Sequence, residues 1–198
     1  WKNYRLKNFF QQYRKLRLIM GDNDFISINI AVVTISDTRE LKNDKSGDTL
    51  VDRITQFGHK VTVREIVKDD FNKIYDLFSK LIKDENIDVI ISTGGTGLTG
   101  RDITPEVMNT IFEKNIDGFG EMFRWLSFKK INTSALQSRA LAGVANGKYI
   151  FNLPGSPSAC KDGWDEILKY QLDVRHKPCN FVEIMPRLQE HKFSRSKN

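Results

Sequence analysis

Residues 92–105 read S-T-G-G-T-G-L-T-G-R-D-I-T-P, and their chemistry is that of an anion site. Gly94, Gly95, Gly97 and Gly100 follow the apolar run Ile87 to Ile91. A backbone this bare turns tightly and lies close to a bulky anion without Cβ atoms in the way. Thr104-Pro105 reads as a helix start, with a threonine N-cap and proline at the first helical position. Strand, glycine loop and helix N-terminus together favour phosphate, through exposed N–H groups and the helix dipole. Asp102 stands between loop and helix, an acid where phosphate should be repelled. A divalent cation such as Mg²⁺ resolves that conflict, because magnesium takes carboxylate and phosphate oxygens together.

Residues 95–100 also satisfy G-x-G-x-x-G, the dinucleotide fingerprint. That fingerprint needs the helix to open within the glycines and an acid at the end of the next strand, roughly 20 residues on. Here Arg101-Asp102-Ile103 intervenes, and the region from Asp117 to Glu121 continues a helical pattern. A dinucleotide-dependent oxidoreductase and a glycine turn with no ligand therefore stand as alternatives to the phosphate site.

The elements that must position this loop alternate along the chain. Ile28 to Ile35 is β-branched and apolar, as expected of a strand buried on both faces. It runs into Ser36-Asp37-Thr38-Arg39. A helix is expected over 49–57, closed by Gly58, then a strand over 60–67 ending at Lys68-Asp69-Asp70. Residues 71–83 repeat apolar side chains at helical spacing, and 87–92 is the third strand. Helices are expected over 104–113 and 122–126, with a break at Gly118-Phe119-Gly120, and again over 134–144. A fourth strand, 149–153, stops at Pro154-Gly155-Ser156-Pro157, and a helix follows over 159–172. Strands alternating with helices predict a parallel sheet with helices on both faces. Ligands of such folds gather outside the carboxyl ends of the strands. All four strands end in polar loops there: Ser36-Asp37, Asp69-Asp70, the glycine loop with Asp102, and Asn152 with Gly155-Ser156. Acids in the first two, glycines with hydroxyls in the other two, and Asp102 beside the glycine loop suit Mg²⁺-assisted phosphoryl or nucleotidyl transfer.

Bulk properties narrow the field. The 198 residues suit one ordinary domain, and no apolar run approaches the ~20 residues of a membrane span. The net charge of +6 is confined to the start: Lys2, Arg5, Lys7, Arg14, Lys15 and Arg17 precede Met20 with no acid among them. The remainder balances 25 basic residues against 25 acidic ones, which argues against nucleic acid as a partner of the folded body. Residues 1–26 form a basic leader, with Met20 the expected natural start and 1–19 upstream or foreign sequence; a surface-binding amphipathic helix is the alternative. Residues 27–188 are expected to form a single domain and 189–198 a polar tail. Cys160 and Cys179 fit no disulfide framework or metal spacing, so a reducing cytoplasm is the expected setting and packing their expected role. His59, His176 and His191 form no relay with a serine.

Six motifs carry a family resemblance: T-I-S-D-T-R at 34–39, D-x-S-G at 44–47, the glycine segment at 92–106, G-F-G-E-M-F-R at 118–124, S-R-A-L-A-G at 138–143 and N-L-P-G-S-P at 152–157. Together they resemble the MoaB/MogA family of molybdenum cofactor biosynthesis proteins, over roughly residues 27–188. The ending Q-L-D-V-R-H-K-P-C-N-F at 171–181 is similar to the MoaB branch. The resemblance implies a three-layer α/β/α fold with a mostly parallel sheet. It further implies Mg-ATP-dependent adenylylation of molybdopterin, with release of pyrophosphate. Two family aspartates serve the Mg-ATP step, and they match Asp69 and Asp102, here the expected catalytic and Mg²⁺-binding acids. Some family members lack these acids; this chain keeps both, which favours an active enzyme. Gly94, Gly95, Thr96 and Gly97 are the expected phosphate donors. Ser36, Asp37, Ser138, Asn152, Gly155 and Ser156 complete the expected pocket.

Alternatives attach to single residues: Asp69 or Ser156 as a helix cap, and Arg139 as a partner for an acid across a subunit contact. The implied partners are molybdopterin, ATP, further copies of the chain in a trimer or hexamer, and other molybdenum cofactor enzymes, with no membrane. Phe119, Phe123, Trp125 and Phe128 serve a core or an interface equally well. A non-catalytic molybdopterin carrier of the same family is the main functional alternative.

Overall fold

A computed structural model describes residues 24–192, so the leader before Asp24 and the end of the tail lie outside the described residues. Of these, 27–169 form one compact unit; 24–26 and 170–192 gather into a second, smaller one.

The larger unit is a three-layer α/β/α sandwich around a six-stranded sheet. The strands are β1 (Asn29–Ile35), β2 (Lys60–Val67), β3 (Val89–Thr93), β4 (Lys114–Asn115), β5 (Leu141–Ala145) and β6 (Lys148–Leu153). Their spatial order is β2-β1-β3-β6-β5-β4. β1 pairs in parallel with β2 and β3, and β3 with β6. β5 and β4 add an antiparallel edge. The helices are α1 (Lys45–Phe57), α2 (Phe71–Leu81), α3 (Thr104–Ile111), α4 (Asp117–Ile131) and α5 (Pro157–Gly163), which continues through a π-turn, Trp164–Leu168, and Lys169–Gln171.

Alternation in β1 sorts the two faces. Ala31, Val33 and Ile35 share a core with Ile74 and Phe78 of α2 and Val107 and Met108 of α3. α1 and α4 pack against α5, where Phe119 of α4 lies 5.2 Å from Phe151 of β6, ring centre to ring centre. At the opposite edge from the glycine loop, Lys148 donates to the Ile87 carbonyl at the other end of β3, fixing β6 in register. Among the described residues no helix is long and apolar enough to cross a membrane.

Three expectations need correction. Residues 134–144 are not a helix: Asn132–Gln137 is a 3₁₀ turn and Leu141–Ala145 is β5. The glycines at 118 and 120 do not break α4, which runs through them. A Cβ at Gly120 would lie 2.6 Å from the Ala140 carbonyl oxygen, so this glycine lets the helix approach the chain leading into β5. Finally, Thr104 does not cap α3. Ile103 holds the N-cap position, and Thr104 turns both its polar groups onto the glycine loop. The four aromatics of α4 divide: Phe119 and Phe123 are buried, whereas Trp125 and Phe128 are more than half exposed.

In the smaller unit, Asn180 caps a short helix, α6 (Phe181–Ile184), and also donates to the carbonyls of Val174 and His176, both at 3.0 Å.

Candidate functional site

The strand order reverses between β1 and β3: β1 is followed by α1 and β2 on one side, and β3 lies on the other. The crevice at such a reversal, outside the carboxyl ends of the strands, is where open α/β sheets bind ligands. A cavity of about 550 Å³ opens there, within the size range of small-molecule sites. Its wall combines the loop after β1 (Ser36, Thr38, Arg39), the glycine loop after β3 (Gly94 to Gly97, Asp102) and the loop after β6 (Pro154, Gly155, Ser156). Phe123, Ser127 and Ile131 of α4, with Gln137 and Ser138, complete it.

Buried hydroxyls in the strands fix where these loops start. Thr93 donates to the Pro154 carbonyl at 2.9 Å, and the Ser92 hydroxyl donates to Asn152 Oδ1 at 2.6 Å. Gly94 leaves β3 with φ of 112°, and its N–H still bonds the Leu153 carbonyl. A Cβ at Gly94 would sit 2.1 Å from the Ile35 carbonyl oxygen, a backbone atom with nowhere to move. Gly94→Ala is therefore expected to cost about 2–4 kcal/mol, measured by urea unfolding, from strain added to the clash. Gly100→Ala, where nothing lies within 4 Å, should stay within about 0.5 kcal/mol of the parent protein.

The loop's carbonyls are tied from two sides, which turns its remaining groups toward the cavity. Thr104 donates from its N–H to Gly95 O at 3.0 Å and from its hydroxyl to Gly94 O at 3.1 Å. Arg139 donates from Nε to Gly97 O and from Nη2 to Asp102 O, both at 2.7 Å, and its backbone N–H reaches Thr96 O at 3.0 Å. Its Nη1 pairs with Glu106 of α3. Lysine carries the charge without the fork. Arg139→Lys should lower stability by about 1–2 kcal/mol in thermal melts.

Two carboxylates flank the loop's bare backbone. Asp69 Oδ1 lies 3.0 Å from the point a Cβ on Gly95 would occupy, and Asp102 Oδ2 lies 2.8 Å from that point on Gly97. Burial opposes ionisation of Asp102, but bonds from the Thr99 hydroxyl (2.7 Å) and N–H (2.9 Å), from the Gly97 N–H, and the Arg139 charge outweigh it. Its pKa lies below the ordinary carboxylate value. Asp69 is displaced upward, first by burial and then by the negative charges of Asp37 and Asp102. Asp69 is no helix cap: Asp70 fills that role for α2, accepting from Lys73 N at 3.0 Å.

The remaining residues singled out in the sequence divide. Ser36, Ser138, Gly155 and Ser156 line the cavity; Ser156 caps α5 as well, accepting from Ala159 N at 3.1 Å. Asp37 is not part of the wall and pairs with Arg101. Asn152 is fully buried and engaged with Ser92 and the Leu141 carbonyl, so its position is a structural one. Arg39 is a further residue of the site that no local sequence pattern marks. This residue donates to Ser46 Oγ and, at 2.6 Å, to the Gly155 carbonyl, joining the loops after β1 and β6. Beneath it Asp44 is wholly buried. Desolvation works against its charge, but bonds from Thr34, Gly47 and Ser46, with Arg64 nearby, hold its pKa below the ordinary value. The D-x-S-G segment at 44–47 was the available signal, since a buried acid needs that many donors.

Comparison with known proteins places this arrangement. The family model described as "Probable molybdopterin binding domain" matches residues 31–174. Molybdenum cofactor biosynthesis protein B of Escherichia coli (strain K12) is 46% identical over 158 residues, spanning 80% of this chain and 93% of the relative. The chain belongs to the MoaB family of molybdenum cofactor biosynthesis proteins. A crystal structure of a molybdenum cofactor biosynthesis protein B superposes with a TM-score of 0.75 at 37% identity, covering 83% of this chain and 98% of that one. The tungsten cofactor synthesizing protein MoaB from Pyrococcus furiosus gives 0.64 at 34% identity, with 72% and 91% covered. Within this MoaB fold the dinucleotide alternative has no support. α3 opens at Thr104, beyond the glycines, and Asp117 begins α4 instead of ending a strand.

Proposed function

We propose that this MoaB protein is a molybdopterin adenylyltransferase that consumes ATP and releases pyrophosphate. The observation that carries the reading is the convergence at the sheet's switch point. A glycine loop with its carbonyls tied back is flanked by Asp69 and Asp102, beside a cavity of about 550 Å³ whose wall includes Asp102. A terminal phosphate oxygen of molybdopterin attacks the α-phosphorus of ATP. The new P–O bond forms as the bond from that phosphorus to the α,β-bridging oxygen breaks, and pyrophosphate leaves with the electron pair. Both reactants are anions, so the protein's task is to hold them in line and offset their charge.

The donor set fits magnesium. Among the described residues no group of three or more Asp, Glu, His or Cys forms a metal cage. Magnesium instead keeps several waters and takes one or two carboxylates together with substrate phosphates. Asp69 and Asp102 would hold it, and it would offset phosphate charge there. The chain's own groups do the rest. Gly95, Thr96 and Gly97 present a backbone close to the ligand, and the hydroxyls of Ser36, Ser138 and Ser156 offer donors to pterin or phosphate. Arg39 keeps the loops after β1 and β6 together around them.

Mixing the protein with molybdopterin and Mg-ATP tests the reading. The expected result is pyrophosphate released in proportion to molybdopterin consumed, and none when either reactant is omitted. Tight molybdopterin binding with ATP left intact would make the protein a carrier instead.

A further inference from the structure

Arg101 is a cation at this edge that the adenylyltransferase reading leaves unused. It follows Gly100 in the glycine loop, and its side chain is 68% exposed. Its Nε donates to Asp37 Oδ2 at 3.0 Å, and Nη2 bonds the same oxygen. The same Nη2 reaches the Asp69 carbonyl oxygen at 3.2 Å. One guanidinium thus joins the glycine loop to the loop after β1 and the end of β2. Arg139 does something different: it grips the Gly97 and Asp102 carbonyls from a less exposed position. An exposed pair such as Arg101–Asp37 contributes little to stability, because water competes for both charges. It is cheap to break, and it stands beside Asp69, whose ionisation the charges of Asp37 and Asp102 oppose.

We propose that Arg101 is an exchangeable counter-ion. It neutralises Asp37 until a nucleotide binds, then releases Asp37 and donates to the nucleotide's phosphates. This rests on the nucleotide reading of the site. Phosphate oxygens offer the planar fork more negative charge than the one carboxylate oxygen and one backbone carbonyl it now holds. Its departure leaves the Asp37 carboxylate uncompensated at the edge where a divalent cation is needed. The guanidinium and the cation are therefore competitors before nucleotide arrives and allies afterwards.

Opposite-signed effects test this on the full chain. Binding of Mn²⁺ alone, standing in for magnesium, is followed by electron paramagnetic resonance, and binding of Mg-ATP by calorimetry. R101Q should bind Mn²⁺ alone roughly three- to tenfold more tightly, because a competing positive charge is gone. The same variant should bind Mg-ATP at least about tenfold more weakly, because a charge-assisted phosphate contact is lost. D37N, which frees Arg101 in advance, should bind Mn²⁺ more weakly and Mg-ATP at least as tightly as the parent, since no exchange has to be made. An Arg101 that merely holds the loops together would weaken both ligands in R101Q and weaken Mg-ATP in D37N as well, and that pattern overturns the proposal. Unchanged Mg-ATP affinity in R101Q overturns it too, while the adenylyltransferase reading survives. Failure of the parent protein to bind Mg-ATP would defeat the functional reading itself, and the exchange with it.

Discussion

Asp102→Asn is expected to lower ATP-dependent pyrophosphate release by on the order of 10²–10³-fold, the range seen when one preorganised electrostatic partner of a reaction is removed. The substitution is structurally mild. One oxygen of Asp102 accepts both Thr99 bonds, and an asparagine oxygen keeps both, leaving the bond from the Gly97 N–H as the single contact at stake. Arg139 meets Asp102 through its backbone carbonyl, which is unaffected. What disappears is a full negative charge beside Gly97, held ionised by its donors well below neutral pH. A melting temperature close to the parent's, with turnover lost, would locate the defect in charge. Full activity in this variant would remove Asp102 from the reaction.

Asp69→Asn is expected to abolish turnover to a similar degree while making the protein more stable. α2 keeps its cap, because Asp70 supplies it. The stability gain follows from the raised pKa of Asp69. The folded protein holds this proton more tightly than the unfolded chain does. The contribution of Asp69 to stability is therefore greatest below the ordinary value of 3.8 and is lost as pH rises through the folded value. At neutral pH the carboxylate is pressed between burial and the charges of Asp37 and Asp102, and an amide relieves both. Activity runs the other way. Protonating Asp69 removes the charge that the proposed reaction would use, so the acid limb of the rate profile should lie above the ordinary carboxylate pKa. Thermal melts of parent and variant at neutral pH, beside a pH–rate profile of the parent, check all three statements. A variant that melts lower, or turns over normally, contradicts them.

The parallel half of the sheet was legible because its strands are short β-branched runs that admit few other structures: I-N-I-A-V-V-T-I at 28–35 and the apolar run before the glycine loop. β5 was misread for a physical reason. Residues 134–145 are rich in alanine and leucine, the best helix formers, and tertiary pairing with β6 overrides that preference. The signal lay one step further on, at Asn146-Gly147. Both residues have positive φ, 48° and 78°, the signature of a tight hairpin between β5 and β6. β4, two residues long, has no periodicity to detect. The glycine loop, Asp102 and the loop after β6 could be located because strand ends announce themselves with glycine, proline and acids. Asp70 as the cap of α2 could not be told from Asp69 by the residues alone, since both are acids at a helix start; only the family resemblance singles out Asp69. Arg39 and Arg139 act on backbone carbonyls distant in sequence, and no local pattern records such contacts.

The glycine loop remains the centre of the account, and its chemistry is most directly tested on the product. The protein is incubated with molybdopterin, Mg²⁺ and ATP labelled at the α-phosphorus, and the pterin fraction is then analysed by mass and by label. The expected result is a pterin heavier by one adenylyl group that carries the label, formed with one pyrophosphate per pterin. Unmodified, unlabelled pterin beside intact ATP would contradict the account.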